Sequence, residues 1–298
     1  MLDEKTQRPP KRGIVRRALW ALGIGLGLLF LVSLFFPDLD FSMEDRVGLI
    51  RIEGVIVDAQ STISELKRFA DNPSVKAIVL RIDSPGGGVV PSQEIHDAVQ
   101  RVRSKSNKTV ITSMGTVAAS GGYYIAVATD RIMANSGTLT GSIGVIMEMA
   151  NVEGLLKKIG VEGVVIKSGK FKDVGSPLRK MSDEEQALLQ SVMDDVHQQF
   201  IEAVAEGRGL DVAVVQALAD GRIFTGRQAK ASKLVDELGD LEAAIQLAAD
   251  VAGIEGEPKV LEPRRRFSFR ELIESRISGL FPKLDFNSGV GLKYLMAF

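Results

Sequence analysis

The sequence predicts an α/β domain that follows one N-terminal transmembrane helix. After residue 46, short apolar runs of β character alternate with helical stretches, which is typical of α/β folds. Residues 18–36 form an uncharged, strongly apolar run that is long enough to cross the hydrocarbon layer of a membrane as a helix. The sequence holds no internal repeat, and 298 residues with 45% hydrophobic content suffice for one domain with appendages.

The charges on either side of the apolar run predict its orientation. The preceding segment is rich in lysine and arginine, whereas the segment that follows is mainly acidic. We therefore expect a single-pass protein of the cell (inner) membrane, with a cytoplasmic N-terminus and an extracytoplasmic main domain. A cleavable signal peptide is the alternative, but the run is longer than a typical signal-peptide core. It also ends in Phe35-Phe36-Pro37, without a small-residue cleavage site.

Five parts are expected along the chain. They are a cytoplasmic basic segment at 1–17, the transmembrane anchor at 18–36, a linker at 37–46, the main domain at 47–255 and a C-terminal tail at 256–298. Within the main domain, the apolar runs predict strands at 47–57, 77–82, 109–113, 131–134 and 161–167. Helices are predicted at 92–105, from Ser182 as N-cap to about Gly207, and as a set over 211–252.

Ser120 is the candidate nucleophile. It follows three small residues, precedes Gly121 and Gly122, and stands where the sequence becomes apolar and helical. At a junction of this kind, free backbone N–H groups and the positive end of the helix dipole can face a developing negative charge. Glycines permit the backbone to approach closely. On its own, however, the motif is more typical of an ordinary turn that caps a helix.

A second glycine-rich loop, Asp83 to Gly88, follows the predicted strand 77–82 and precedes the predicted helix 92–105. Strand, glycine turn and helix in this order can hold an anion. Nucleotide binding is disfavoured, because the chain has neither G-x-x-x-x-G-K-[ST] nor a G-x-G-x-x-G that opens a helix with an acidic residue at the right distance. The loop is therefore either an oxyanion hole built from a glycine N–H or a structural turn.

The residue that would activate the serine is sought by elimination. The chain holds no cysteine and two histidines, His96 and His197, which stand among polar residues of predicted helices. Both are interpreted as solvated helix residues, with His96 as a reserve base because it follows the glycine loop. A serine–lysine arrangement is consequently preferred.

Lys172 is the candidate base. A lysine accepts a proton only when it is neutral, which desolvation or nearby positive charge favours. Cationic residues surround it in sequence at Lys167, Lys170, Arg179 and Lys180. Ser142 is a candidate third partner that could hydrogen-bond the amine. Taken alone, the lysine cluster is also typical of a basic surface loop, and Ser142 of a turn.

Together, these motifs resemble the signal peptide peptidases of the SppA family, in the short form with one catalytic domain. The resemblance extends from about Val47 to Gly239. The order and spacing of six segments carry it: VGLIRIEGVI, RIDSPGGG, AASGGYYIA, TGSIGV, KSGKFKDVGSP and DGRIFTGRQAKASKLVDELG. Single motifs such as DSPGG also occur in the wider ClpP and crotonase superfamily. The resemblance implies a ClpP/crotonase-like fold and a serine endopeptidase.

Residue roles follow from the same resemblance. It implies Ser120 as nucleophile, Lys172 as general base, Ser142 as the hydroxyl that positions the lysine, and Gly87 and Gly121 as oxyanion donors. The family's lysine stands in a K-[DS]-x-x-x-P context, which residues 172–177 match. Lys172 is therefore the preferred general base, and Lys170 is the alternative.

The resemblance also implies partners. Substrates would be cleaved signal peptides or similar hydrophobic peptides in the membrane, and the protein would form a homo-oligomeric ring whose adjacent protomers share the serine and the lysine. No metal or other cofactor is expected, because two dispersed histidines make no ligand set. A net charge of −1 argues against nucleic acid as a partner. A crotonase-type acyl-CoA enzyme and a non-catalytic membrane scaffold are the alternatives.

The C-terminal tail has a character of its own. From Arg264 onwards a basic triplet precedes apolar residues at near-helical spacing. Such an amphipathic segment could lie on a membrane, cover a groove, mediate assembly or pack in an ordinary core. The hydrophobic terminus 294–298 could also fold back near the active site as a product-like peptide.

Overall fold

The computed structural model describes residues 20–25, 27, 44–263 and 292–296. The chain divides into two units, Met1–Glu44 and Asp45–Phe298. In the first unit, residues 20–25 and 27 are helical and exposed. Most of the predicted transmembrane run 18–36 lies outside the described residues, and no helix among the described residues has the length and apolarity to span a membrane. The predicted amphipathic stretch that begins at Arg264 also lies outside them.

The second unit is built on a mostly parallel sheet. Its strands in chain order are β1 (Arg46–Glu53), β2 (Val75–Ser84), β3 (Gly86–Gly88), β4 (Thr109–Ala119), β5 (Arg131–Ala134), β6 (Leu139–Gly141), β7 (Ile223–Thr225), β8 (Glu237–Leu238), β9 (Lys259–Leu261) and β10 (Lys293–Leu295). The larger sheet has the order β7-β6-β4-β2-β1-β9, and β5 pairs with both β4 and β8. Among these pairings, that of β6 with β7 is antiparallel. β3 and β10 form a separate antiparallel pair.

Helices lie between the strands along the described part of the chain. They are α1 (Gln60–Asp71), α2 (Val89–Ser106), α3 (Gly121–Ala126), α4 (Glu153–Lys158), α5 (Asp183–Arg208), α6 (Val212–Leu218), α7 (Gly226–Ala231) and α8 (Leu241–Val251). Parallel neighbours require such crossovers, since a tight turn cannot join them. Ser182 caps α5, and its hydroxyl and the Glu185 carboxylate form the reciprocal capping box.

Hydrophobic residues cover both faces of the sheet. On β2, Ile78 and Leu80 belong to one core cluster with residues of α1, α2, α3 and α5. Val79 belongs to a second cluster, to which α8 contributes Ala244, Ile245, Ala248 and Ala249. Alternate side chains of a strand point to opposite faces, so a strand buried on both sides is apolar throughout. This burial explains why the run 77–82 is apolar at every position except Arg81.

The prediction of an α/β fold is confirmed, as are the strands at 77–82, 109–113 and 131–134 and the long helix after Ser182. The strand predicted at 47–57 ends earlier, at Glu53, and residues 54–57 lie outside it. The predicted helical set over 211–252 consists of α6, α7 and α8, with β7 and β8 between them. The strand predicted at 161–167 is wrong, because these residues have no regular secondary structure. Val164 and Ile166 are 84% and 97% exposed, so the apolar pattern there does not mark a buried strand of this chain.

The register of β2 and β4 positions the candidate site. The two strands run parallel, and Ser84 pairs with Ala118 near their carboxyl ends. The glycine-rich loop therefore begins beside the strand end from which Ser120 follows. Ligand sites of open α/β sheets commonly lie at this carboxyl edge.

Candidate active site

Ser120 occupies a strained turn between β4 and α3. Its backbone angles are φ 52° and ψ −116°, and it is the N-cap residue of α3. A non-glycine residue at positive φ is held there only by its surroundings, and here the Ser120 N–H donates to the Gly141 carbonyl at 2.8 Å. The residue is 1% exposed, and its hydroxyl has no hydrogen-bond partner among the described residues. A catalytic serine needs a hydroxyl that no other group occupies, and it commonly lies at a sharp turn between a strand and a helix. Ser120 meets both conditions.

Glycines 86, 87 and 121 lie against one another beside Ser120. A Cβ on Gly121 would stand 3.2 Å from the Gly87 nitrogen and 2.5 Å from the Ser92 hydroxyl oxygen. A Cβ on Gly86 would stand 2.7 Å from the Gly121 nitrogen. Only glycine fits such close backbone contacts. The structure thus places the predicted oxyanion glycines, Gly87 and Gly121, within one cluster.

Ser142 lies close to Ser120 through the backbone. It directly follows Gly141, whose carbonyl accepts the Ser120 N–H, and its own N–H donates to the Arg222 carbonyl at 2.8 Å. Ser142 also has a positive φ, 50°, and is 9% exposed. It lines a cavity of about 430 Å³ together with residues of α5 and of the C-terminal segment.

Lys172 is not brought to Ser120 within the chain. It lies in the turn 170–175, is exposed, and makes no side-chain hydrogen bond or ion pair within the described ranges. Lys170, by contrast, forms an ion pair with Glu184. Of these two lysines, Lys172 therefore has the free amine.

Ion pairs fix the turn that carries Lys172. Asp173 accepts hydrogen bonds from Arg179 at 2.8 Å and from Lys167 at 2.6 Å, which hold the pKa of its carboxyl well below its usual range. Arg179 also donates to Glu185. Hydrogen bonds from Arg179 and from the Ser182 backbone lower the pKa of Glu185 to about 2. The Asp173 carboxylate, next to Lys172 in sequence, is thus paired with Arg179 and Lys167. Through Arg179 and Glu185, the turn is also linked to the start of α5.

The histidines are less solvated than the sequence suggested. His96 is 7% exposed and packs its ring 4.9 Å from that of Tyr124. Burial lowers its pKa, an effect that the hydrogen bond with Asp97 opposes. The interpretation of His96 as a solvated helix residue is therefore wrong. His197 is half-buried, lines the 430 Å³ cavity, and leaves Nε2 without a partner among the described residues.

The C-terminal residues 292–296 occupy the cleft beside the glycine cluster. β10 pairs with β3, and Lys293 also exchanges backbone hydrogen bonds with Ile146 on its other side, at 3.1 and 3.3 Å. The fold-back considered for the terminus is observed for these residues. The sequence indicated this fold-back for 294–298 only through the hydrophobicity of the terminus, and it assigned Tyr294 no role of its own in the site.

Bonds on either side define the register at Tyr294. Val89 N–H donates to the Leu292 carbonyl, and Met296 N–H donates to the Pro85 carbonyl. Hydrogen-bonded pairs alternate along an antiparallel ladder, so Gly87 and Tyr294 form the pair between these two bonds. The Gly87 N–H therefore donates to the Tyr294 carbonyl oxygen. This oxygen is also 3.2 Å from the Cβ position of Gly121.

Comparisons with known proteins show which family the chain resembles. The family model "Peptidase family S49" matches residues 102–255, and "Clp protease" matches 48–142. The "Putative protease slr0021" of Synechocystis is 45% identical over 72% of this chain and 77% of that protein. The "Putative signal peptide peptidase SppA" of Enterococcus faecium is 41% identical, over 67% of this chain and 62% of that protein.

A third relative is longer. "Protease 4" of Haemophilus influenzae is 35% identical over 70% of this chain, which spans 35% of that protein's length. The share of the chain that the family model matches, and the identity to the Synechocystis protein, leave no ambiguity about the family. The chain belongs to peptidase family S49.

Proposed function

We propose that this protein is a membrane-anchored serine endopeptidase that degrades cleaved signal peptides or similar hydrophobic peptides with a Ser120–Lys172 dyad. The main support is the hydroxyl of Ser120, which is buried and has no hydrogen-bond partner among the described residues. It lies beside the glycine cluster, in which Gly87 binds the carbonyl of Tyr294. The name of the Enterococcus relative supports signal peptides as the substrate class.

The first chemical step is attack of Ser120 on a peptide carbonyl. Lys172, in its neutral form, takes the proton of the hydroxyl as the oxygen adds to the carbonyl carbon. The N–H groups of Gly87 and Gly121 hydrogen-bond the oxyanion of the tetrahedral intermediate. The C–N bond then breaks, the leaving amine takes the proton from Lys172, and an ester on Ser120 remains. Water hydrolyses this ester with Lys172 again as base, and Ser142 positions the lysine amine.

The serine and lysine are proposed to meet between adjacent protomers of a homo-oligomeric ring. Lys172 has no side-chain partner within the described part of the chain, and the segment before it carries exposed apolar side chains. They are Leu155, Ile159, Val161, Val164, Val165 and Ile166, between 48% and 97% exposed. Contact of this surface with a second copy would bury them and would move the lysine turn towards the neighbour's Ser120.

The membrane anchor and the orientation are proposed from the sequence. Residues 18–36 are apolar and uncharged, with basic residues before them and acidic residues after them. An extracytoplasmic catalytic domain on a short linker would meet hydrophobic peptides where they leave the bilayer.

Hydrolysis of a fluorogenic hydrophobic peptide by the detergent-solubilised protein tests the proposal. The wild type would be compared with Ser120→Ala and Lys172→Ala from about pH 6 to about pH 10, because a lysine base acts only when neutral. We expect a wild-type rate that rises through one basic ionisation, and loss of hydrolysis in both variants. Hydrolysis that persists in Ser120→Ala would exclude the serine mechanism, and no hydrolysis by any form would favour a scaffold.

A further inference from the structure

The turn 220–222 opens the motif DGRIFTG, which contributes no group to the proposed chemistry. It joins α6 to β7 and lies opposite Ser142, because β7 pairs antiparallel with β6 and Ile223 stands opposite Gly141. One residue further along, the Ser142 N–H donates to the Arg222 carbonyl at 2.8 Å. The backbone of this turn therefore holds the serine that would position the lysine amine.

The backbone pairing of Ser142 with Arg222 is incomplete. Hydrogen-bonded residues of antiparallel strands exchange two bonds, because each N–H donates to the carbonyl of the other residue. Here the Arg222 N–H donates to Oδ1 of Asp220 instead, at 3.1 Å. Ser142 has a φ of 50°, far from the extended conformation that a regular ladder requires. The Asp220 carboxylate thus supplies the acceptor that the strand partner would otherwise provide.

Aspartate is well suited to this position. A carboxylate that accepts the N–H two residues further on closes a turn that aspartate and asparagine form readily. The Arg222 guanidinium also donates to Oδ1, at 2.7 Å, and hydrogen bonds from Arg222 lower the pKa of Asp220 to about 2. The carboxylate consequently stays charged and able to accept. Gly221 between them has a φ of 85°, and its N–H donates to the Ile143 carbonyl at 3.2 Å.

The ion pair of Asp220 with Arg222 contributes little to overall stability. Both side chains are more than half exposed, and water screens such pairs. The effect of the carboxylate is local, because the carbonyl that it helps to fix binds the Ser142 N–H. The residue before Ser142 is Gly141, whose carbonyl accepts the N–H of Ser120. The turn is therefore linked through the backbone to both serines of the candidate site.

We propose that Asp220 is a positioning residue, which binds the Arg222 N–H, fixes the turn 220–222 and so keeps Ser142 in the strained conformation that orients the lysine amine. The inference rests on the proposed peptidase function, in which Ser142 positions Lys172. Without the carboxylate, the Arg222 N–H can bond the Ser142 carbonyl and complete the ladder. Ser142 then relaxes towards an extended conformation, and its hydroxyl leaves the position that the lysine requires.

A second role for Asp220 leads to a different expectation. Asp220 lines the same 430 Å³ cavity as Ser142, so its charge could attract the lysine directly. That role needs the negative charge, whereas the turn needs only an acceptor oxygen. Asparagine separates the two roles, because it keeps a side-chain carbonyl oxygen and carries no charge.

Steady-state hydrolysis of one fluorogenic hydrophobic peptide is compared among three variants of the full chain. Asp220→Ala should lower kcat about ten-fold, the effect of one lost hydrogen bond to a charged acceptor, and leave KM within about two-fold of the wild type. Asp220→Asn should restore kcat to within about three-fold of the wild type, because asparagine closes the same turn. An equal loss in both variants, or an unchanged kcat in Asp220→Ala, would overturn the inference.

Arg222→Gln is the matched control for the ion pair. It removes the guanidinium but keeps the backbone N–H that Asp220 binds and the carbonyl that Ser142 binds. We expect its kcat to stay within about two-fold of the wild type, since an exposed ion pair contributes little. A loss as large as that of Asp220→Ala would assign the effect to the ion pair and overturn the role of the turn.

Amide hydrogen exchange, followed by mass spectrometry, tests the structural step without hydrolysis. Exchange over residues 139–145 should be about ten-fold faster in Asp220→Ala than in the wild type or Asp220→Asn, while β2 keeps its protection. Faster exchange in β2 as well would assign Asp220 to overall stability and overturn the inference.

The two measurements also separate this inference from the proposed function. Faster local exchange in Asp220→Ala, without hydrolysis by any form, would keep the hold of Asp220 on Ser142 and reject the peptidase. Hydrolysis that depends on Ser120, with the same exchange over 139–145 in all variants, would support the peptidase and reject the positioning role of Asp220.

Discussion

The Ser120 N–H donates a 2.8 Å hydrogen bond to the carbonyl of Gly141, and this bond joins the two serines of the candidate site. Gly141 ends β6, and Ser142 is the next residue. Ser120 and Ser142 both have positive φ angles, 52° and 50°, which cost about 1–3 kcal/mol each for a non-glycine residue. Two strained serines tied together at the carboxyl edge of the sheet indicate a site that the fold stabilises against local preference.

The first prediction concerns Gly121. A Cβ there would stand 2.5 Å from the Ser92 hydroxyl oxygen, which itself bonds the Gly88 carbonyl, so Gly121→Ala would displace the glycine loop. We expect peptide hydrolysis to fall at least about a hundred-fold, the effect of losing one oxyanion donor. The free energy of unfolding should fall by about 1–3 kcal/mol in urea titrations.

Gly137→Ala is the matched control. A Cβ on Gly137 meets nothing within 4 Å, so the variant should retain full activity and a stability within about 0.5 kcal/mol of the wild type. If Gly121→Ala were as active as Gly137→Ala, the glycine cluster would not be the oxyanion site.

The second prediction distinguishes two lysines. Lys172→Ala should lower kcat about a thousand-fold or more, because the nucleophile would lose its proton acceptor. Lys170→Ala should stay within about two-fold of the wild type, since it removes an exposed ion pair with Glu184 that contributes little. Steady-state kinetics with one hydrophobic peptide measure both. Activity lost in Lys170→Ala and kept in Lys172→Ala would reassign the base.

The third prediction tests whether protomers share the dyad. Ser120→Ala and Lys172→Ala are each expected to be inactive. If adjacent protomers of the proposed ring share the dyad, a mixed ring would hold sites in which an intact serine meets an intact lysine of the neighbour. Denaturing the two variants together and refolding them should therefore restore part of the hydrolysis. Each variant refolded alone is the control. A mixture as inactive as its components would indicate that both residues act within one chain.

Much of the fold can be predicted from the sequence, because strands of a parallel sheet that are buried on both faces are recognisable as runs of apolar residues. The run 77–82 is apolar apart from Arg81 and is the core of β2. Ser182 followed by Glu185 marks the start of α5, since a capping box needs those residue types at that spacing. The error at 161–167 has the same origin, because apolar residues mark burial without saying whether the chain itself or another molecule provides it.

The candidate site is readable in part. Ser120, Gly87 and Gly121 belong to short sequence motifs, so the residues next to them are enough to predict their roles. The contacts among the rings of Tyr124, Phe200 and Tyr294 cannot be predicted in this way, because these residues come from three distant segments and meet only in the folded chain. A stretch such as 292–296 carries no local pattern beyond hydrophobicity, and its place beside Gly87 depends on long-range pairing.

The fourth prediction is an acid sensitivity of the turn that carries Lys172. The pKa of Glu185 is lowered to about 2 in the folded chain, mainly by its hydrogen bonds with Arg179, against an ordinary value of 4.5. A depressed carboxyl pKa stabilises the fold fully above the unfolded value, and the stabilisation is lost as pH falls through the folded value. The unfolding free energy should therefore drop between about pH 4.5 and about pH 2.

Glu185→Gln isolates this effect. Glutamine can still complete the capping box at α5 but carries no charge for Arg179, so the variant should be less stable than the wild type at pH 6 and should lose less stability on acidification. Urea titrations at pH 6, 4 and 2.5 measure the difference. Glu184→Gln is the control, because Glu184 is an exposed carboxylate in the same first turn of α5. If the free energy of unfolding fell equally with pH in the wild type and in Glu185→Gln, the ion pair between Arg179 and Glu185 would not stabilise the lysine turn in solution.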